Sequence, residues 1–174
     1  MRFKPVPEPP NDLASVGAIL EAVPATAGAV DDCCAHLVAE TRLEDRSEAE
    51  TWLVFLRALE LVSAESAGYC RLPAARSDES PTLDPTDSGR AFRERVDGAE
   101  AVLESLESAG EPLSAAAVAD ELAADHAASG RENRPARFEV DRVERVRRLL
   151  EWAVLLERVE RTGDGDRYRP AALE

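Results

Sequence analysis

Apolar residues recur with helical spacing near the carboxyl end of the chain and then give way to strand-like alternation. Between residues 140 and 156 they fall on one side of a helix, because positions three or four apart share a face. After Leu156 the pattern alternates, and Thr162-Gly163-Asp164-Gly165 supplies residues that tolerate the positive φ of a tight turn. Residues 140–170 are therefore predicted to form an amphipathic helix and a short hairpin. The apolar side of the helix comprises Val143, Val146, Leu149, Leu150, Ala153, Val154 and Leu156, and the outward side comprises Glu144, Arg147, Arg148 and Glu151.

The same pattern occurs in a weaker form 97 residues upstream. Most of the matched positions are apolar ones that would form the core of the helix and the start of the following strand. The match therefore predicts two related modules, and a single helical domain is the alternative. The aligned pairs are Leu53 with Leu150, Phe55 with Trp152, Leu59 with Leu156, Glu60 with Glu157, Val62 with Val159 and Pro73 with Pro170.

Residues 11–73 are predicted to form three helices and a hairpin. The third helix should begin at a Ser47 cap, with Glu50 at the position that completes a capping box. Residues 61–72 should form the hairpin, which turns at residues 65–68. The first helix is expected to follow Asn11 or Asp12 and to end near Ala22, and the second to follow Gly28 and Asp31 and to end near Thr41.

Residues 89–170 repeat this order. One long helix is predicted from Gly89 to Ala109, ended by Gly110-Glu111-Pro112, and a second is predicted from a Ser114 cap to about His126. A loop over residues 127–137 then leads to the amphipathic helix and hairpin described above. Two proline-rich segments complete the chain: an extended arm at residues 1–10 and a linker at residues 74–88.

Three helices followed by a hairpin is the element order of a winged helix-turn-helix, and it is predicted in both halves. The segment from Gly110 to Leu122 also resembles the Gly-x-Pro turn and helix with which many winged-helix domains open. Over residues 11–73 and 89–170 the chain therefore resembles tandem winged-helix proteins of the haloarchaeal type. The resemblance implies a mainly α fold with small β-hairpin wings (α+β), arranged as two winged-helix domains in tandem.

The chain is strongly acidic, with a formal charge of −14, and 20 of its 21 basic residues are arginine. This composition resembles that of proteins from salt-accumulating archaea, whose carboxylate surfaces stay hydrated in molar salt; an ordinary acidic protein is the alternative. In ~1 M salt the Debye length is only ~3 Å, so general attraction to phosphate is weak for any protein. Net acidity is therefore weak evidence against DNA binding. Residues 131–169 carry a net charge of +2 and the rest −16, so the carboxyl-terminal module alone is not strongly acidic.

Arginines concentrate around the predicted third helix and wing of the second module. In winged-helix DNA binders this helix enters the major groove, where arginine pairs bidentately with guanine, and wing arginines reach phosphates or the minor groove. The spacings of Glu144 to Arg148 and of Asp141 to Arg145 favour ion pairs along the helix, so a self-paired, solvated helix is the alternative. The candidate nucleic-acid-binding residues are Arg142, Arg145, Arg147 and Arg148 on the helix, Arg161, Arg167 and Arg169 on the wing, and Arg134 and Arg137 in the preceding loop.

Two functions fit this pattern. The first is a DNA-binding transcriptional regulator, in which the second module binds double-stranded DNA and the first serves dimerisation or binds a protein partner. The second is a protein–protein adaptor without DNA contact, which would resemble the winged-helix B subunit of the SMC–kleisin complex. The arginine-rich second module favours the regulator. The third helix of the first module favours the adaptor, since it presents Glu48, Glu50 and Glu60 with only Arg57.

Nothing in the sequence indicates an enzyme, a cofactor or a metal site. Cys33, Cys34, His36 and Cys70 lack the spacing of zinc ligands and are predicted to be core thiols or ordinary helical residues. His126 stands on another helical segment, with no nucleophile or phosphate-binding glycine loop in the chain. No apolar run is long enough to span a membrane and no signal peptide is evident, so a cytoplasmic protein without membrane partners is expected.

Overall fold

The computed structural model describes residues 2–73, 83–128 and 137–172, and for residues 137–139 it describes the backbone alone. The chain forms two compact units, residues 1–97 and residues 98–174. The first contains α1 (Leu13–Ala22), α2 (Cys33–Glu40), α3 (Arg46–Ala58), β1 (Val62–Glu65), β2 (Gly68–Arg71) and α4 (Pro85–Arg95), and the second contains α5 (Ala99–Ala109), α6 (Ala115–Ala128), α7 (Arg137–Leu155), β3 (Val159–Arg161) and β4 (Tyr168–Pro170).

Each unit places three helices before an antiparallel hairpin, which confirms the predicted mainly α fold with two small wings. In each unit the segment between the first two helices forms backbone hydrogen bonds with the second strand of the hairpin. In the first unit the Arg71 amide donates to the Pro24 carbonyl at 2.9 Å. In the second, Leu113 and Tyr168 exchange two backbone hydrogen bonds of 2.9 and 2.8 Å. The hairpins are thereby tied to the helical part of their own unit.

The core of each unit is built around its third helix. The apolar positions of α3 that the repeat matched, Leu53 and Phe55, have no exposed surface, and neither has Leu56. In α7 the predicted apolar side is likewise buried at Val146, Leu149, Leu150, Ala153 and Leu156, whereas Val143 and Val154 are half-buried at its edges. Trp152 is also fully buried. Helical periodicity therefore located both cores correctly.

Aspartates cap all three helices before the first hairpin. Asp12 accepts from the Ser15 amide at 2.8 Å, as predicted for α1. The second helix begins later than predicted, at Cys33 with Asp32 as its cap. The predicted Ser47 cap with Glu50 is wrong, because Asp45 accepts from the Glu48 amide at 2.8 Å. Asp45 takes this role because Glu48 stands three residues after it and itself accepts from the Glu44 amide at 2.7 Å.

The single long helix predicted from Gly89 to Ala109 is in fact two helices, α4 and α5. Between them Val96 is extended (φ −87°, ψ 127°), and Gly98 takes the left-handed conformation with φ 85°. That conformation suits glycine, which has no Cβ to clash. Helix α4 also begins at Pro85, inside the predicted linker, because Asp84 caps it. The remainder of that linker, residues 74–82, lies outside the described residues.

Helix α4 belongs to the first compact unit, whereas the sequence placed the start of the second module at residue 89. Its Phe92 ring packs edge-on against Phe55 of α3, with ring centroids 6.5 Å apart. The amino-terminal arm is extended, as predicted, but it is held to the same unit. Phe3 donates to the Arg95 carbonyl at 2.7 Å and accepts from the Asp97 amide at 2.9 Å. The arm and α4 therefore complete the core of the first unit together.

Candidate nucleic-acid interface

The 97-residue repeat is present in the backbone at the ends of α3 and α7. Both helices stop at equivalent positions, Ala58 and Leu155. Two residues later, Glu60 and Glu157 have φ values of 62° and 57°, the only positive values among described residues other than glycine. Both ends are also closed by a hydrogen bond from an amide to the carbonyl five residues earlier. The aligned pair Glu60 and Glu157 is thus a structural equivalence.

The aligned pair Pro73 and Pro170 is not an equivalence. Val62 pairs with Arg71 across the first hairpin, and the equivalent Val159 pairs with Pro170 across the second. The second hairpin is therefore two residues longer, and an ungapped alignment cannot hold beyond its turn. With this correction, Tyr69 and Tyr168 become equivalent. They are the only two tyrosines in the chain, a signal that sequence reasoning missed.

Glu144 holds the two central arginines of α7. The Nε of Arg147 donates to Glu144 Oε2 at 3.0 Å and its Nη2 to Oε1 at 2.5 Å. The Arg148 guanidinium is 3.9 Å from the same carboxylate. The Arg147 hydrogen bonds, helped by both positive charges, lower the pKa of Glu144 from its usual value near 4.5. This part of the outward face is therefore a compact cluster of charges.

Arg142 and Arg145 are half-buried on α7. Asp141, Glu144, Arg145 and Arg148 line a shallow depression of about 230 Å³ at the amino-terminal half of the helix. Two carboxylates and two guanidinium groups share it, so its lining carries little net charge. A ligand that entered it would have to match both signs.

Glu151 points toward the wing, contrary to the prediction of an outward, solvated position. Its side chain is only 14% exposed. The Tyr168 hydroxyl donates a hydrogen bond to one of its oxygens, and Arg161 forms an ion pair with the other. Helical periodicity could not indicate this, because the hairpin folds back over that side of α7. Arg161 is thus drawn to the helix, although its side chain remains about half exposed.

Arg169 and Arg167 differ in their surroundings on the wing. Arg169 lies opposite Glu160 in the hairpin register, and its Nε and Nη2 donate to Glu160 Oε2 at 3.1 and 3.0 Å. Arg167 is exposed at the end of the turn, and its carbonyl accepts from the Thr162 amide at 2.9 Å. In the turn, the Thr162 hydroxyl hydrogen-bonds to Asp164 and lowers the pKa of that carboxyl. The wing tip thus presents arginine beside acid.

Two candidate arginines, Arg134 and Arg137, were predicted to lie in the loop before α7. Arg137 is the first residue of α7, so its assignment to the loop is wrong. The helix extends three residues further toward the amino terminus than periodicity predicted from residue 140. Arg134 lies outside the described residues.

In the first unit the arm covers the carboxyl-terminal end of α3. The guanidinium carbons of Arg57 and Arg95 lie 5.4 and 5.3 Å from the centroid of the Phe3 ring, within cation–π distance. Arg95 also forms a 2.9 Å ion pair with Glu60. The one arginine that the sequence placed on the outward side of α3 is therefore engaged by residues of its own unit.

Two of the three thiols of the first unit occupy core positions, as predicted. Cys33 and Cys70 are buried, Cys34 is half-buried, and all three are free. Burial raises the pKa of the Cys34 thiol, as the nearby Asp32 does to a smaller extent, which disfavours the thiolate. Across the described ranges no three His, Cys, Asp or Glu side chains are grouped to hold a metal ion. Nor does any helix in those ranges have the length and apolar character needed to cross a membrane.

A comparison with known protein families assigns nearly the whole chain to one family. The model of the halobacterial double winged helix domain matches residues 1–172, and the chain belongs to this family. No curated protein and no solved structure gives a significant match. The family description agrees with the two hairpins and with the halophilic composition.

Proposed function

We propose that the protein is a DNA-binding regulator that contacts double-stranded DNA through α7 and the wing of the second unit. One observation carries the proposal. Three outward positions of α3 that hold Glu48, Glu50 and Thr51 hold arginine in α7. Their equivalents, 97 residues on, are Arg145, Arg147 and Arg148. The same fold thus carries an acidic face in one unit and a face of arginines in the other.

The proposed contacts follow from where these arginines stand. Arg147 and Arg148 are about one-third exposed near the middle of α7, where the third helix of a winged helix meets the major groove. Arg142 and Arg145 lie on the same helix, toward its amino-terminal end. Arg167 and Arg169 are exposed on the wing and would meet backbone phosphates. Arg137 and Arg134 precede these groups in the chain and would contact phosphates at the end of the site.

The pairing of these arginines with Glu144 is compatible with DNA binding at high salt. A guanidinium bound to Glu144 can exchange that carboxylate for a phosphate, which carries the same single negative charge, or for the neutral acceptor atoms of a guanine edge. Molar salt weakens exposed ion pairs, so the exchange costs less than in dilute buffer. Base-edge contacts would then carry more of the specificity than phosphate attraction.

The first unit is proposed to serve dimerisation or to bind a protein partner. Its α3 presents Glu48 and Glu50, which phosphate would repel, and Arg57 already lies over Phe3. This face therefore suits a protein surface better than a DNA groove.

A protein–protein adaptor without DNA contact is the second candidate. Asp164 and Asp166 at the exposed wing tip favour it, as does Glu144 on the outward face of α7. Carboxylates at these places would lie close to phosphates in a winged-helix complex with DNA. In an adaptor they would instead face a basic protein surface.

The experiment is a selection from fragmented genomic and random duplex DNA in about 2 M KCl, where an acidic halophilic protein is expected to stay folded. We expect an enriched motif that is lost with Arg147→Glu and Arg148→Glu together, because two positive contacts become negative. The control carries the same charge change at Arg42→Glu and Arg90→Glu, which are exposed in the first unit. No enrichment by the folded wild-type protein would reject DNA binding in favour of the adaptor. Equal loss in the control would reject the role of α7.

A further inference from the structure

The side chain of Glu151 joins α7 to the wing. It accepts a hydrogen bond from the Tyr168 hydroxyl and pairs with Arg161, so it reaches one residue on each strand of the hairpin. Tyr168 is itself fixed, since it is 4% exposed and its backbone pairs with both Arg161 and Leu113. One carboxylate thereby links the third helix to all three extended segments of the unit.

The first unit has the same backbone without this link. The positions equivalent to Glu151 and Arg161 are Val54 and Ala64, while the equivalent of Tyr168 is also a tyrosine, Tyr69. A wing of this fold therefore forms with valine and alanine at the two positions. The carboxylate and the arginine of the second unit must be explained by something other than hairpin formation.

We propose that Glu151 is a positioning residue that holds the wing against α7 and so fixes the distance between the wing arginine Arg167 and the arginines of the helix. This inference rests on the proposed DNA binding. It also revises one predicted contact: Arg161 acts as the cation that anchors the wing, and Arg167 and Arg169 are left to meet DNA.

The position of the link suits a salt-rich solvent. Exposed ion pairs lose most of their attraction when the Debye length is about 3 Å, whereas partly buried pairs are screened much less. Glu151 is largely covered and also accepts a charge-assisted hydrogen bond from the Tyr168 hydroxyl, which is itself buried. The wing would therefore keep its place under conditions that weaken the exposed Glu160–Arg169 pair.

Amide hydrogen exchange tests the link without DNA. The variant is Glu151→Val with Arg161→Ala, which installs the residues that the first unit uses. We expect exchange at the Thr162 and Ala171 amides of the wing to become about tenfold faster, while the Leu150 amide within α7 keeps its rate. The control is Glu160→Val with Arg169→Ala, which makes the same two chemical changes on the exposed face of the hairpin. Unchanged wing exchange, or an equal change in the control, would overturn the link.

DNA binding then tests whether the link positions the wing. In the wild type, log affinity should fall with log salt, and Arg167→Ala should make this fall less steep by about 0.9, the value of one phosphate contact. In the Glu151→Val, Arg161→Ala background the same change should leave the slope unaltered, because a displaced wing no longer delivers Arg167. Equal slope changes in both backgrounds would overturn the positioning role. If the folded wild type binds no DNA, the proposed function fails with this role, and the exchange experiment still decides the link.

Discussion

Helices α3 and α7 occupy the same place in their units and agree on the side that faces the core, but not on the side that faces outward. Six buried positions coincide, namely Ala49 with Val146, Trp52 with Leu149, Leu53 with Leu150, Phe55 with Trp152, Leu56 with Ala153 and Leu59 with Leu156. The outward positions from Ser47 to Arg57 all differ in residue type from the equivalent positions of α7, which run from Glu144 to Val154. The inner pattern therefore specifies the fold, and the outer one distinguishes the two units.

The difference extends to what covers each helix. In the first unit the arm lays Phe3 over Arg57, and Arg95 reaches Glu60, so residues of the unit itself use the carboxyl-terminal end of α3. In the second unit the equivalent of Arg57 is Val154, and the charges of α7 are gathered around Glu144 and Glu151. Similar third helices are thus completed by an aromatic arm in one unit and by ionic contacts in the other.

Truncating the shared core should give the largest effect and should affect the two units alike. Leu53→Ala and Leu150→Ala each remove a fully buried side chain, so each should lower the free energy of unfolding of its unit by about 2–5 kcal/mol. Each unit holds one of the two tryptophans, Trp52 and Trp152, so fluorescence of single-tryptophan variants reports each transition separately.

Substitutions on the outward sides of α3 and α7 provide the control for these two core substitutions. Glu50→Ala and Arg147→Ala stand at equivalent outward positions and should change the free energy by no more than about 0.5 kcal/mol. A loss at Leu53 or Leu150 no larger than that of its outward control would contradict the shared core.

Removing the aromatic ring of the arm should destabilise the first unit and leave the stability of the second unchanged. Phe3→Ala deletes a ring that is 6% exposed and should cost the first unit about 3 kcal/mol, at the low end for a buried phenylalanine because its neighbours are arginine side chains. The transition reported by Trp52 should shift and the one reported by Trp152 should not. Equal shifts would show that the arm does not belong to the first unit alone.

The start of α3 offers a smaller test with a neighbouring control. Asp45→Ala removes the side chain that caps the Glu48 amide and should cost about 1 kcal/mol, measured by urea unfolding. Ser47→Ala changes the residue that sequence pattern favours as the cap, and its cost should stay within about 0.5 kcal/mol. A reversed order of the two costs would return the cap to Ser47.

The smallest effect concerns Glu144. Its pKa is lowered in the folded protein by Arg147, so its favourable interaction is present above pH 4.5 and is lost as the pH falls through the folded value. Arg147→Gln should raise the pKa of Glu144 toward 4.5, and NMR titration of the side-chain carboxyl resonance measures the change. An unaltered titration curve would mean that Arg147 does not hold this carboxylate in solution.

Local patterns predicted much of the fold, because core positions recur with the helical period. The break at Gly98 escaped prediction because Phe92, Val96, Ala99 and Val102 continue an apolar pattern through it. Helical spacing alone could not separate two helices joined by a short extended turn. The amino-terminal arm was predicted to be extended, but its place beside Val96 depends on residues more than ninety positions away.

The candidate site was less predictable for a related reason. Periodicity gave the side of the helix on which Arg147 and Arg148 stand, and spacing gave the Glu144–Arg148 pair. The inward turn of Glu151 depends on the hairpin that follows, and the contact of Arg57 depends on the arm. Contacts between segments distant in the chain decide which charges remain available to a partner, and no local pattern contains them.

The parallel bridge between Phe3 and Val96 also sets an order of events during synthesis. Phe3 must wait until Arg95 and Asp97 have been synthesised before it can form its backbone hydrogen bonds, so the first unit cannot finish folding until nearly all of its own residues have left the ribosome. The second unit begins at the next glycine, residue 98. Because amino-terminal domains generally fold first during translation, closure of the arm would complete one unit just as the other begins to leave the ribosome.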